Sequence, residues 1–285
     1  MMVGIIAAGI LSCLLLIFAA TFLKLLFFQT KNEYSNGSEP SIITLIAKAV
    51  YRIATRQQGR LYLNANPERK DKRDTIKADQ SERISISKYR INRDKLHLYK
   101  QVCCCEEVIP LCFLESLFMP SLVNLTVNPM FKLSPLGLIH LRQTITVHDS
   151  LERLLNAEFD LESRIKEYRL VSRGVEVDVF ISVITDTGFC IWEGLVTLLS
   201  RNTSTQRSGG NKNINKQNND RDKVPQNYPL NIEAMFKRPL FMPGQAIIGY
   251  SNETKYRDVD KVDFSVADAI TSAPHLIGSL IYNVD

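Results

Sequence analysis

An α+β domain carried behind a membrane-spanning helix is the fold class that this 285-residue sequence predicts. Three observations lead there. The chain opens on an apolar run, Met1 to Phe28, whose only charge is Lys24. One apolar helical segment, "EEVIPLCFLESLFM", stands ahead of a series of long β-branched runs. A polar tract, "RNTSTQRSGGNKNINKQNNDRDKVPQN", then separates two segments that both read as core strands. Ile214 and Val224 are its only aliphatic side chains larger than alanine.

The opening run comes first. About 20 apolar residues suffice to cross a bilayer as a helix, and 1–28 is taken as a single-pass anchor. A cleaved secretory signal would carry a basic n-region and a shorter apolar core, and neither is present. The nearest basic residues, Lys24, Lys31, Lys48, Arg52 and Arg56, all lie on its C-terminal side. Their one-sidedness places the body in the cytoplasm. Four Asn-x-Ser/Thr triplets, at Asn36, Asn124, Asn202 and Asn252, point weakly the other way, because glycans are added only in a lumen.

Residues 29–83 are expected to form a juxtamembrane region. Within "SIITLIAKAVYRIATRQQG", Ile42, Leu45, Ile46, Ala49, Val50 and Ile53 repeat at helical spacing. Lys48, Arg52 and Arg56 lie off that stripe, with Ser41 as cap and Gly59 as stop. Such a helix lies on lipid or packs on the domain. The sequence leaves both open. Residues 64–83, "NANPERKDKRDTIKADQSER", read as a charged linker.

The folded domain begins near "ISISKYRINRDKLHLYKQV", and residues 84–201 form a first unit. Its apolar helix is expected at 111–119, ended by Pro120. "GLIHLRQTITVH" and "EFDLESRIKEYRLVS" are β-rich. "VEVDVFISVITDTGFCIWEGLVTLLS" holds two strands joined at Asp186-Thr187-Gly188, a hairpin turn. The predicted sheet includes 138–148, 175–185 and 189–200. Residues 202–227 are a polar linker whose composition predicts disorder. Residues 228–285 form a second, partial unit, since "VDVFISVITDTGFCIWEGLVTLL" (177–199) can be laid over "VDFSVADAITSAPHLIGSLIYNV" (262–284). The order of elements agrees, but the second unit lacks a helix of its own.

One apolar helix followed by long antiparallel strands is the outline of a hot-dog domain, and two such units make a double hot-dog. "FKLSPLGLIHLRQTI", with Pro135, Gly137 and His140, resembles the segment entering the first long strand of MaoC-like dehydratases, the (R)-specific enoyl-CoA hydratase group. "FKRPLFMPG", with Pro239 and Pro243, and "PHLIG" resemble two strands of that group's second repeat. The resemblance implies an acyl-CoA ligand of fatty-acid metabolism, no cofactor and a lyase reaction. It further implies that an Asp-x-Asn-Pro-x-His segment holds the water as a general acid/base pair, while an amide at a helix N-terminus polarises the thioester carbonyl. No such segment occurs in the sequence. The polar tract stands in its place and contains no His.

No catalytic residue is therefore assigned, and enzyme activity is left open. Candidate ligand-binding residues are Pro110 and Leu111 at the helix start, together with Gly137 and His140. His148 and Asp149, adjacent in sequence, would point to opposite faces of a strand. His275 reads as a packing residue. The six cysteines show no Cys-x-x-Cys spacing and predict idle thiols rather than a metal site. The net charge of +5 is modest, and no nucleic-acid motif is present. The reading is a membrane-anchored MaoC-like protein, catalytically incomplete, with a lipid membrane, an acyl-thioester and further copies of the chain as expected partners. Two alternatives stand beside it: an active hydratase using other residues, and a membrane-tethered interaction module without an acyl ligand.

Overall fold

The computed structural model describes residues 33–35, 42–62, 75–103, 105–201, 229–237, 246–251, 254–256, 259–269 and 271–283. The expected anchor (1–28), the cap at Ser41 and the tract 202–227 lie outside them. No described helix is long and apolar enough to cross a membrane.

Among the described residues, twelve strands form one sheet. In chain order they are β1 (Glu33–Ser35), β2 (Thr75–Lys77), β3 (Arg83–Tyr89), β4 (Leu138–Val147), β5 (Phe159–Val171), β6 (Gly174–Thr185), β7 (Cys190–Arg201), β8 (Leu230–Phe236), β9 (Ala246–Tyr250), β10 (Thr254–Tyr256), β11 (Val259–Asp268) and β12 (Pro274–Asn283). Three α-helices accompany them: α1 (Ile42–Thr55), α2 (Arg93–Cys103) and α3 (Phe113–Val127). Across the sheet the order is β1-β3-β5-β6-β7-β4-β8-β12-β11-β10, with β2 added on β5 and β9 on β11.

The β6–β7 hairpin forms where the β-branched runs predict it. Gly188 turns the chain with a φ of +81°, and its N–H donates to the Thr185 carbonyl at 2.9 Å. The repeat seen in the sequence is a repeat of pairing. β4 lies beside β7 and β6 beside β7, as β8 lies beside β12 and β11 beside β12. The two units meet where β4 pairs antiparallel with β8, from Arg142 opposite Met235 to Val147 opposite Leu230. Matching glycines serve matching contacts. A Cβ on Gly194 would meet its β6 partner Ile181 at 2.9 Å, and one on Gly278 would meet its β11 partner Phe264 at 2.4 Å.

Helix α3 is the core helix of the first unit and packs on β3 and β5. Phe118 stacks on Trp192 with ring centroids 5.7 Å apart, and Phe113 meets Tyr99 edge-on at 5.3 Å. The helix does not stop at Pro120, as expected, but runs seven residues further, to Val127. A helix-interior proline costs about 3 kcal/mol. Burial of Ser121, Asn124, Leu125 and Val127 beyond it outweighs that cost, at roughly 1.5–3 kcal/mol for each large apolar side chain. Among the described residues the second unit has no helix, and most of its strand residues are only partly buried.

Two further expectations are corrected. Helix α1 packs on the domain, but with its apolar stripe largely outward. Leu45 is buried, whereas Ile46, Val50 and Ile53 are exposed, as is Ile43. The basic side chains turn inward instead. Lys48 is buried, and burial lowers the Arg52 pKa to about 10, with the neighbouring Arg56 charge adding to the effect. Arg56 donates to the carbonyls of Pro129, Phe131 and Leu133, so hydrogen bonding to a buried carbonyl cluster sets the face that hydrophobicity alone would not. Gly59 lies in a turn four residues past the helix, its N–H donating to Ser200 Oγ at 2.8 Å.

The charged linker also ends earlier than residue 83. β2 joins the sheet, and Glu82 is buried, accepting hydrogen bonds from Tyr168 Oη and Lys132 Nζ. Charge in that stretch marks a buried ion pair as well as solvated chain.

Candidate functional site

The largest described cleft, about 980 Å³, opens on the seam between the units. β4 supplies Ile139, His140, Leu141 and Arg142 to it. A regular strand alternates its faces and would not present four consecutive residues to one space. A bulge makes it possible, because His140 pairs with Leu198 and Arg142 with Thr197, leaving Leu141 extra. Across the seam come Phe236 and Lys237 at the end of β8, and His275 and Leu276 at the start of β12. Arg173 and Arg201, at the near ends of β6 and β7, complete a basic mouth.

The His140 ring lies 4.4 Å from that of Phe236. Burial lowers its pKa, more than a backbone hydrogen bond with Arg142 raises it, so the imidazole is neutral near pH 7. Its Nε2, like Nδ1 of His275, is buried without a hydrogen-bond partner. Glu176 is the one carboxylate among the described lining residues and is already engaged by Arg173 at 3.2 Å and Arg169 at 3.4 Å. The cleft therefore joins an apolar floor to a positive rim, with the neutral His140 ring and the His275 ring between them. That is an arrangement for an amphipathic anion. Among the described residues it holds no His–carboxylate pair.

Of the sequence candidates, His140 lines this cleft. Gly137 lies just before β4, with φ of +71°, its carbonyl accepting from Gln58 Nε2 at 3.2 Å. Pro110 is buried, and its carbonyl caps the start of α3 by accepting from Phe113 N–H at 2.9 Å. Leu111 packs against the core. The cleft's lining includes none of these three. Arg142, Arg173, Arg201 and Lys237 were not singled out by sequence reasoning. Scattered over some hundred positions, they become a patch only through the strand order.

Asp149 pairs with Arg153, whereas His148 approaches Glu193, with Nε2 and Oε1 3.6 Å apart. Cys103, Cys105, Cys112 and Cys190 are free thiols. They are not uniformly buried, because Cys103 and Cys112 are exposed.

A second groove, about 460 Å³, runs over β8, β11 and β12 between Met235, Tyr250, Phe264 and Ile277.

The architecture has counterparts among solved structures. A crystal structure of HtdX from Mycobacterium tuberculosis superposes with a TM-score of 0.56 at 15% identity, covering 71% of this chain and 100% of that one. A second HtdX structure gives 0.53 at 15% identity, covering 70% and 99%. A MaoC-like dehydratase gives 0.47 at 9% identity, covering 73% and 97%. No protein-family model matches the chain, and no curated protein matches it. At such identities the likeness to HtdX establishes the fold alone, a hot-dog-like α+β fold.

Proposed function

We propose that this chain is an acyl-thioester-binding hot-dog protein, tethered to a membrane by residues 1–28, that does not hydrate enoyl-CoA. One observation carries the reading: the seam cleft pairs an apolar lining with Arg142, Arg173, Arg201 and Lys237. A CoA or acyl-carrier thioester presents an acyl chain at one end and phosphate at the other, and this surface complements both. The sequence resembles MaoC-like dehydratases at Pro135, Gly137 and His140. Here the acid/base segment of that group is missing from the sequence. A positioned acid/base group contributes a factor of about 10²–10⁴.

The one-sided Lys/Arg excess supports a cytoplasmic body. The Asn124 triplet has no bearing on orientation in the folded chain. Its side chain is buried, with Nδ2 donating to Tyr34 Oη at 3.2 Å.

The test uses the full chain in mild detergent. Crotonyl-CoA absorbance should stay at the uncatalysed rate, while a saturating acyl-CoA raises the thermal midpoint by roughly 5–10 °C. Replacing Arg142 and Arg201 by Glu should abolish that rise. Steady turnover lost on His140→Ala would instead establish a working hydratase. Absence of any acyl-CoA effect would leave a tethered interaction module as the better reading. A glycan added at Asn202 or Asn252 in cells would reverse the orientation.

A further inference from the structure

On the sheet face turned away from α3, three donor groups of different chemistry converge. They are His148, just beyond β4, and Cys190 and Glu193 on β7, and their ligand atoms all lie within 4.8 Å of one another. In a regular strand, residues three apart point to opposite faces, so Cys190 and Glu193 could not meet. A second bulge brings them together. Val183 pairs with Trp192 and Ile184 with Cys190, leaving Ile191 as the extra residue. Ile191 and Trp192 both turn into the core, where each is fully buried, and this returns Cys190 and Glu193 to the same outer face. His148 is held opposite the bulge by its own N–H, which donates to the Ile191 carbonyl at 2.9 Å.

From this geometry we infer that His148, Cys190 and Glu193 form a binding site for a borderline-soft divalent cation of the zinc class. Imidazole, thiolate and carboxylate are the three protein ligand types of zinc. Bonds of about 2.0–2.3 Å to a tetrahedral ion set its donors about 3.3–3.7 Å apart. The His148–Glu193 separation of 3.6 Å already has that value. The cluster is partly exposed, with side-chain exposures of 34% for His148 and 35% for Glu193. An ion can therefore enter, and its fourth position faces water. The site is separate from the seam cleft, whose lining contains none of the three residues. Bound metal would tie the end of β4 to the start of β7 where the sheet is irregular.

The experiment takes the purified full chain, in mild detergent and stripped with a chelator, and adds Co²⁺ and Zn²⁺ separately. Co²⁺ should give one equivalent of binding with a thiolate-to-metal charge-transfer band. That band should survive Cys112→Ser and vanish in Cys190→Ser. Zn²⁺ at about a hundredfold excess over its Kd should raise the thermal midpoint by roughly 5–10 °C. His148→Ala and Glu193→Gln should each weaken Zn²⁺ binding by about tenfold or more, and they carry the test if Cys190→Ser does not fold. No band, a band that persists in Cys190→Ser, or Zn²⁺ affinity indifferent to His148 and Glu193 would overturn the assignment.

Discussion

At the scale of single residues, buried polar groups decide more than their number suggests. Glu82 is almost fully enclosed and joins Tyr168 and Lys132. The Tyr168 hydroxyl is held far above its ordinary range by burial, and the Glu82 charge adds to that. Breaking a buried pair by removing one partner leaves the other charge uncompensated, at a cost of about 3–5 kcal/mol. Glu82→Ala should lose that much stability in urea unfolding. A loss below 1 kcal/mol, as at a surface pair, would mean the network is solvated. Asp178 makes the complementary case. Burial opposes its charge, but hydrogen bonds from Arg169 and Thr197 outweigh it and hold the carboxyl below the usual range. A depressed folded pKa adds stability that is complete above the unfolded value of about 3.9 and declines as pH falls through the lower folded value. Asp178→Asn should therefore flatten the acid limb of the stability profile below about pH 4. An unchanged limb would assign acid unfolding to other groups.

At the scale of elements, legibility followed the strength of local periodicity. The β6–β7 hairpin was readable because long β-branched runs flank one glycine turn. α3 was readable as an apolar segment, but its end was not, since tertiary burial beyond Pro120 overrides a local breaker. α2 went unassigned because "RDKLHLYKQVC" buries only Leu96 and so carries little apolar signal. α1 had the right period, but its packing face was not legible, because Arg56 finds carbonyls in the fold that its sequence neighbourhood cannot announce. Of the seam cleft only His140 was legible. Both the cleft and the cation cluster depend on one-residue bulges, which leave no compositional trace and reverse which side chains share a face. The proline itself yields a prediction. Pro120 is exposed and breaks the α3 hydrogen-bond ladder, so Pro120→Ala should raise stability by about 1–3 kcal/mol. A thermal midpoint that falls instead would show that the proline contributes packing that alanine cannot replace.

At the scale of the molecule, the β4–β8 seam makes two unequal halves interdependent. The second unit, without a helix among the described residues, has few fully buried side chains of its own. Leu230 and Tyr282 nevertheless belong to the same buried cluster as Val147 and Trp192. Seam hydrogen bonding extends to side chains, with Thr146 Oγ1 donating to Asn231 Oδ1 at 2.8 Å. Cutting the sheet at β8 would leave the β4 edge unpaired, a surface prone to pairing with other chains. One cooperative transition is therefore expected for the whole sheet. The sequence supplies a local reporter, since Trp192 is its only tryptophan and sits against α3 in the first unit. Leu230→Ala lies in the second. If the halves unfold together, this substitution should shift the Trp192 fluorescence transition by the about 2–5 kcal/mol typical of a buried leucine. The slope against denaturant should not change. A Trp192 midpoint that stays in place while a probe in the second unit moves would establish two independent units, and the seam cleft would then lack the rigid walls that ligand binding across it requires.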